Sequence, residues 1–187
     1  MADSWTYGAG MNRPASLARP AHTPPLLFRG RVFRRRVPDD RESAMKPNRS
    51  IPSSTVIPVL IYPDVRAAVA WLGAAFGFVE RVRIGEDHRA QLGFGDGAVI
   101  VGDTRKDRRP PRPGEVTHSV MVRVEDARAH CEQARAHGAR IVMEPTDFEY
   151  GERQYTAEDL AGHRWTFSQT LADIAPEEWG GQSVSVG

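Results

Sequence analysis

The chain has 187 residues, 40% hydrophobic and 26% charged, which bounds it to one ordinary globular domain or two small modules sharing a core. Neither a membrane span nor a secretory signal is expected: no stretch approaches the roughly 18 uninterrupted apolar residues of a membrane helix, and Pro24-Pro25-Leu26-Leu27-Phe28 is cut by Arg29. One cysteine, Cys131, excludes an internal disulfide and points to a reducing, cytoplasmic setting.

The formal net charge of +1 hides an asymmetry. Residues 1–50 carry ten Lys/Arg against four Asp/Glu, and the remaining 137 carry fifteen against twenty. Arg34-Arg35-Arg36, six prolines between positions 14 and 47 and the lack of any sustained period predict a disordered basic tail over residues 1–53. Two readings of it stand: a nucleic-acid or targeting segment, or an unstructured extension ahead of a start at Met45. Charge alone makes nucleic-acid binding the weakest of the functional readings.

From residue 54 a pattern begins that later repeats. Val56-Ile57-Pro58-Val59-Leu60-Ile61-Tyr62 is a β-branched apolar run ended by Pro63, a strand signal. Asp64 is a candidate N-cap, and Val65, Ala68, Val69 and Leu72 fall at helical spacing until Gly77 stops them. Strands are predicted at 79–84, 88–94 and 98–101, separated by Gly85-Glu86-Asp87 and Gly95-Asp96-Gly97. This first module, 54–103, reads β-α-β-β-β.

Residues 104–115 are too rich in arginine and proline for a core element and read as a linker. The order then returns in a second module, 116–171. It has a strand at 117–124, a cap at Glu125-Asp126, a helix stripe of Ala127, His130, Cys131 and Ala134, and a stop at Gly138. Strands at 140–143, 153–157 and 162–168 complete it, and 172–187 reads as a loose C-terminal tail whose Trp179 docks on the surface. The expected fold is α+β: two tandem βαβββ modules whose curved mixed sheet surrounds a cleft. Alternation turns Trp165 and Phe167 toward the helices and Arg164, Thr166 and Ser168 toward the cleft. Aligning Gly97 with Gly162 assigns Val99 and Val101 to equivalent cleft-facing positions.

The run Val56-Ile57-Pro58, Tyr62, Asp64, Ala68, Trp71-Leu72, Phe76-Gly77-Phe78, with Tyr150-Gly151, Arg153, Tyr155, Asp159, Gly162-His163, Trp165 and Phe167, resembles the glyoxalase/bleomycin-resistance/extradiol-dioxygenase (vicinal oxygen chelate) superfamily, in its glyoxalase-like branch. In metal-dependent members, the resemblance implies, each module offers a His or Glu on its first strand and a Glu on its last, around a divalent cation. His118 matches one such position; Ile57 or Pro58, Val101 and Thr166 occupy the others, so three ligands are missing. A metal site needs at least three protein donors. The expectation is therefore no cofactor, with a divalent metal requiring a non-standard set such as His88, His118 and Glu144.

The candidate ligand-binding residues are His118, Arg153, Tyr155, Arg164, Thr166, Tyr150 and His88. Arg153 sets a guanidinium between aromatics, suited to planar or anionic ligands, or else pairs with Glu149 or Asp159 in a turn that Gly151 permits. His163 reads as a structural hydrogen-bonding residue, and Cys131 as a buried helix residue. The leading functional reading is a protein of bleomycin-resistance type binding a small aromatic or partly charged molecule without the standard metal. The rival is a metal-dependent lyase, isomerase or dioxygenase, with catalytic residues unassigned. The resemblance also implies a homodimer in which modules of two chains complete each cleft.

Overall fold

The computed structural model describes residues 48–112 and 114–184, so the predicted tail lies outside the described residues up to position 47. The first module comprises β1 (Val59–Tyr62), α1 (Val65–Phe76), β2 (Val79–Ile84), β3 (Arg89–Phe94) and β4 (Gly97–Asp103). The second comprises β5 (Ser119–Arg123), α2 (Ala127–Ala136), β6 (Arg140–Phe148), β7 (Glu152–Glu158) and β8 (Arg164–Thr170). Each makes a four-stranded mixed sheet, ordered β1-β4-β3-β2 and β5-β8-β7-β6, with a parallel β1/β4 or β5/β8 pair. This is the α+β duplication expected.

Local chemistry sets the helix ends. The Asp64 carboxylate accepts from the Ala67 amide at 2.8 Å, and Asp126 accepts from Arg128 and Ala129 at 2.9 and 3.0 Å. Gly77, at φ +78°, closes α1 in the left-handed region where a side chain would be strained.

Val65, Ala68, Leu72, Ala75 and Phe76 form the buried stripe of α1, and Ala127, Cys131 and Ala134 that of α2. Both stripes and the helix-bearing faces of both sheets join one core. Phe76 lies at its centre, with ring centroids 5.5 Å from Trp165 and 4.7 Å from Phe167, while Phe78 sits 5.4 Å from Trp165. Each such buried aromatic contributes about 1.5–3 kcal/mol, so the modules stabilise one another. Hydrogen bonds cross the same junction: Trp71 Nε1 donates to His137 O at 2.7 Å, and Gln133 Nε2 to Ala74 O at 2.9 Å. Since the helix-bearing faces meet inside the chain, the opposite faces of the sheets look outward.

Two elements differ from expectation. β6 continues past Met143 to Phe148 despite Pro145, because it is an edge strand with a register shift between Met143 and Thr146, where a missing amide costs no ladder bond. Val99 and Val101 face the helices, 3% and 0% exposed, rather than the cleft side. The pairings Val59 with Ile100 and Met121 with Thr166 make Ile100 the counterpart of Thr166, one residue earlier than glycine alignment suggests.

Two flanking segments pack on the modules. Residues 48–58 run along the outer side of the first sheet: Pro52 is buried, Gln91 Nε2 donates to Ser50 O at 2.8 Å, and Ser54 Oγ donates to Asp96 O at 2.7 Å. At the other end, the amides of Leu171 and Ala172 donate to Gly151 O, and Trp179 sets its ring 5.5 Å from that of Tyr150. No helix among the described residues is long and apolar enough to cross a membrane.

Candidate functional site

Pairing register fixes which side chains share each outer face. In the second module Arg164, Thr166 and Ser168 of β8 stand there, beside Glu152, Gln154, Thr156 and Glu158 of β7. Their polar groups are joined: Arg164 donates to Glu158 at 2.6 Å, Thr156 and Thr166 hydroxyls lie 3.3 Å apart, and Ser168 and Gln154 both donate to Glu152 at 2.6 and 2.7 Å. Burial opposes ionisation of Glu158, but Arg164 and Arg140 outweigh it and hold its pKa below the ordinary value. In the first module the equivalent β4 positions are Ala98, Ile100 and Gly102. Beside them on β3 stand Arg89, Gln91 and Gly93, so the two outer faces differ in the last strand, which is polar in the second module and aliphatic or glycine in the first.

These positions decide whether the implied metal fits. Counting back from the caps Asp64 and Asp126 matches His118 with Val56 rather than with Ile57 or Pro58, and the last-strand pair is Ile100 and Thr166 rather than Val101 and Thr166. Neither module supplies a carboxylate there. The non-standard set does not converge either: His88 lies beside Asp103 and Arg105, Glu144 is held by Arg135 at 2.7 Å, and His118 contacts Thr117. Among the described residues no group of three or more His, Cys, Asp or Glu side chains is placed to hold a metal ion. The residues present do not fit the implied metal.

Of the other expected ligand contacts, Tyr155 is fully buried in the core with its hydroxyl on His130 Nδ1 at 2.5 Å, leaving no surface for a ligand. Burial raises its pKa. Arg153 pairs with Asp147, its cross-strand partner, at 2.5 and 2.7 Å rather than with Glu149 or Asp159. It sits on the parity of Tyr155, the helix-bearing side. Tyr150 stacks on Phe148 at 5.1 Å in the turn before β7.

His118 stands at a junction of grooves just ahead of β5. On one side is a groove of about 370 Å³ lined by Val56, Pro58, Phe78, Phe94, Ala98, Val99, Val120 and Met121. On the other, the linker arches over Val59 and Ile61 of β1 and encloses about 480 Å³ with Arg105, Lys106, Arg108, Arg109, Pro110, Pro111, Glu115 and His163. A narrow notch adds Gly162 and Arg164. The arch is anchored at Asp103: burial disfavours its charge, yet His88, Arg108 and Arg105 together hold its pKa down at about 2. His88 thus reaches the site only through this anchor, its Nδ1 lying 2.9 Å from Arg105 Nη2.

The linker cations and His163 were absent from the expected site. His163 is 5% exposed; its Nε2 donates to Ile61 O at 2.8 Å, while Nδ1 has no partner among the described residues. The linker's density of arginine was the available sequence signal, but nothing local indicates that it arches over β1.

Comparison with known proteins agrees with this architecture. The family model for the Glyoxalase/Bleomycin resistance protein/Dioxygenase superfamily matches residues 55–167. TioX from Micromonospora sp. ML1 is 36% identical, the match covering 63% of this chain and 99% of that one with a TM-score of 0.53. A glyoxalase/bleomycin resistance protein/dioxygenase from Nocardioides is 16% identical over 79% of this chain and 94% of that one, TM-score 0.52. A family enzyme from Burkholderia phytofirmans PsJN is 15% identical over 62% and 97%, TM-score 0.52; these two likenesses speak for the fold alone. No curated protein matches the chain. With the family model spanning most of both modules, the chain belongs to the glyoxalase/bleomycin resistance protein/dioxygenase superfamily.

Proposed function

We propose that the domain at 54–171 binds a small aromatic or partly charged molecule at the grooves around His118, without the standard metal, in the manner of a bleomycin-resistance protein. The observation that carries this reading is the donor set: Ile100 and Thr166 stand where carboxylate ligands belong, while Phe78, Phe94 and Met121 line a groove beside His118. Binding by shape needs an apolar lining and a few polar anchors, not a metal. The outward-facing sheets also favour a homodimer in which a second chain covers them, with Met121 and Val59, 59% and 49% exposed, among the residues covered. The buried, unpaired thiol of Cys131 suits a cytoplasmic setting.

A thermal-shift screen of antibiotics, aromatic metabolites and divalent cations tests the reading. Aromatic compounds are expected to raise Tm whether or not a chelator is present. Stoichiometric divalent metal in protein purified from metal-rich medium, lost on His118→Ala, would overturn it. Light scattering at micromolar concentration is expected to give twice the 20.7 kDa chain mass.

A further inference from the structure

We propose that the two grooves meeting at His118 form one composite site for a compact aromatic carboxylate, its ring on the Phe78/Phe94/Met121 side and its carboxylate under the linker arch. This rests on the small-molecule reading above and narrows it to one charge class.

The halves differ in chemistry. The first groove is floored by Phe78 and Phe94, whose rings lie 5.3 Å apart, and is edged by the exposed Met121 thioether, a surface that takes a flat ring. The second is lined by four cations, Arg105, Lys106, Arg108 and Arg109, against two carboxylates, Asp107 and Glu115. Arg105 and Arg108 turn to Asp103, and Arg109 reaches Glu115 at 3.4 Å. Lys106 makes no ion pair among the described residues. With Asp103 counted, four cations stand against three carboxylates, and this net excess of one positive charge favours an anion over an otherwise identical neutral or cationic molecule.

His118 lines both grooves. Its imidazole stands between a ring in one and a carboxylate in the other, and can donate to that carboxylate from its edge.

Titration calorimetry on the full chain with 2-naphthoate, 2-naphthamide and 2-naphthylmethylammonium separates charge from shape. The carboxylate is expected to bind about tenfold more tightly than the amide, with the ammonium weakest and the preference shrinking at high salt. Lys106→Gln with Arg109→Gln should abolish the preference for the carboxylate, with Tm unchanged because both side chains are on the exposed arch. Met121→Glu should weaken all three uncharged-ring contacts, the carboxylate most. Equal or tighter binding of the amide or ammonium overturns the charge assignment and leaves the small-molecule reading intact. Retention of the preference in the double variant overturns the placement under the arch. No binding by any of the three overturns the composite site, and the broader reading then rests on the screen alone.

Discussion

The Tyr155 hydroxyl donates to Nδ1 of His130 across 2.5 Å, while Nε2 of the same ring donates to the Phe76 carbonyl at 3.1 Å. This fixes the neutral tautomer and ties the last turn of α1 to α2 and β7. Burial lowers the His130 pKa, only partly opposed by the Phe76 carbonyl. A histidine whose pKa is lower folded than unfolded takes up a proton on unfolding, so protonation favours the unfolded chain. Stability is then complete above the unfolded value of about 6.5 and falls as pH drops below it. Urea unfolding between pH 8 and 5 should show this decline, and His130→Gln should flatten it. A slope identical in the variant would remove His130 as its source.

Asp159 makes a second junction. Its carboxylate accepts from the Tyr62 hydroxyl at 2.5 Å, a residue 97 positions away, and from Trp165 Nε1 and the amides of Ala161 and His163 at 2.9–3.0 Å. Removing it strands several buried donors at once, so Asp159→Ala should cost about 3–5 kcal/mol. Tyr62→Phe, which removes one donor and leaves a carboxylate still served by three, should cost about 1–2 kcal/mol. Chemical denaturation of the two variants checks the order; equal losses would contradict it.

Both junctions bear on what the sequence revealed. Asp64, Gly77, Asp126 and Gly138 were legible as helix stops and starts because capping is local chemistry. The duplication was legible because both modules repeat those signals in the same order. Register was not: Gly97 and Gly162 look equivalent, but Gly97 already belongs to β4 whereas Gly162 lies in the turn before β8, which displaced Val101 from the face assigned to it. Tyr155 and Arg153 were chosen for their functional groups, yet strand parity turns both toward the helix side, where His130 and Asp147 engage them. The linker was recognisable as non-core, but spacing does not encode its course over Ile61, along which Arg105 and Arg108 fold back onto Asp103 at the end of β4.

Gly151 should tolerate no side chain. At φ +80° a Cβ would stand 2.4 Å from Ala172 O and 2.8 Å from Ile174 Cγ1, so the C-terminal segment would have to lift. Gly151→Ala is expected to lower stability by about 1–3 kcal/mol. Trp179 fluorescence should report the change, because its ring packs on Tyr150 beside that turn. An unchanged emission spectrum together with an unchanged Tm would refute this account.

The segment before β1 is latched by one buried carboxamide. Gln91, 4% exposed, accepts from Arg81 Nη1 at 2.5 Å and donates to Ser50 O at 2.8 Å, and Arg81 Nη2 also donates to Arg49 O. Gln91→Glu keeps the acceptor for Arg81 but loses the donor to Ser50, whereas Gln91→Ala loses both. If the latch holds residues 48–52 against the sheet, trypsin should cut after Arg49 faster in both variants, since cleavage follows the population of the open segment. The ordering of the two rates separates the contacts. Equal acceleration assigns the latch to the Ser50 bond, and a larger effect of Gln91→Ala assigns part of it to Arg81. A Gln91→Ala rate equal to that of the parent chain would show that buried Pro52 alone keeps the segment in place.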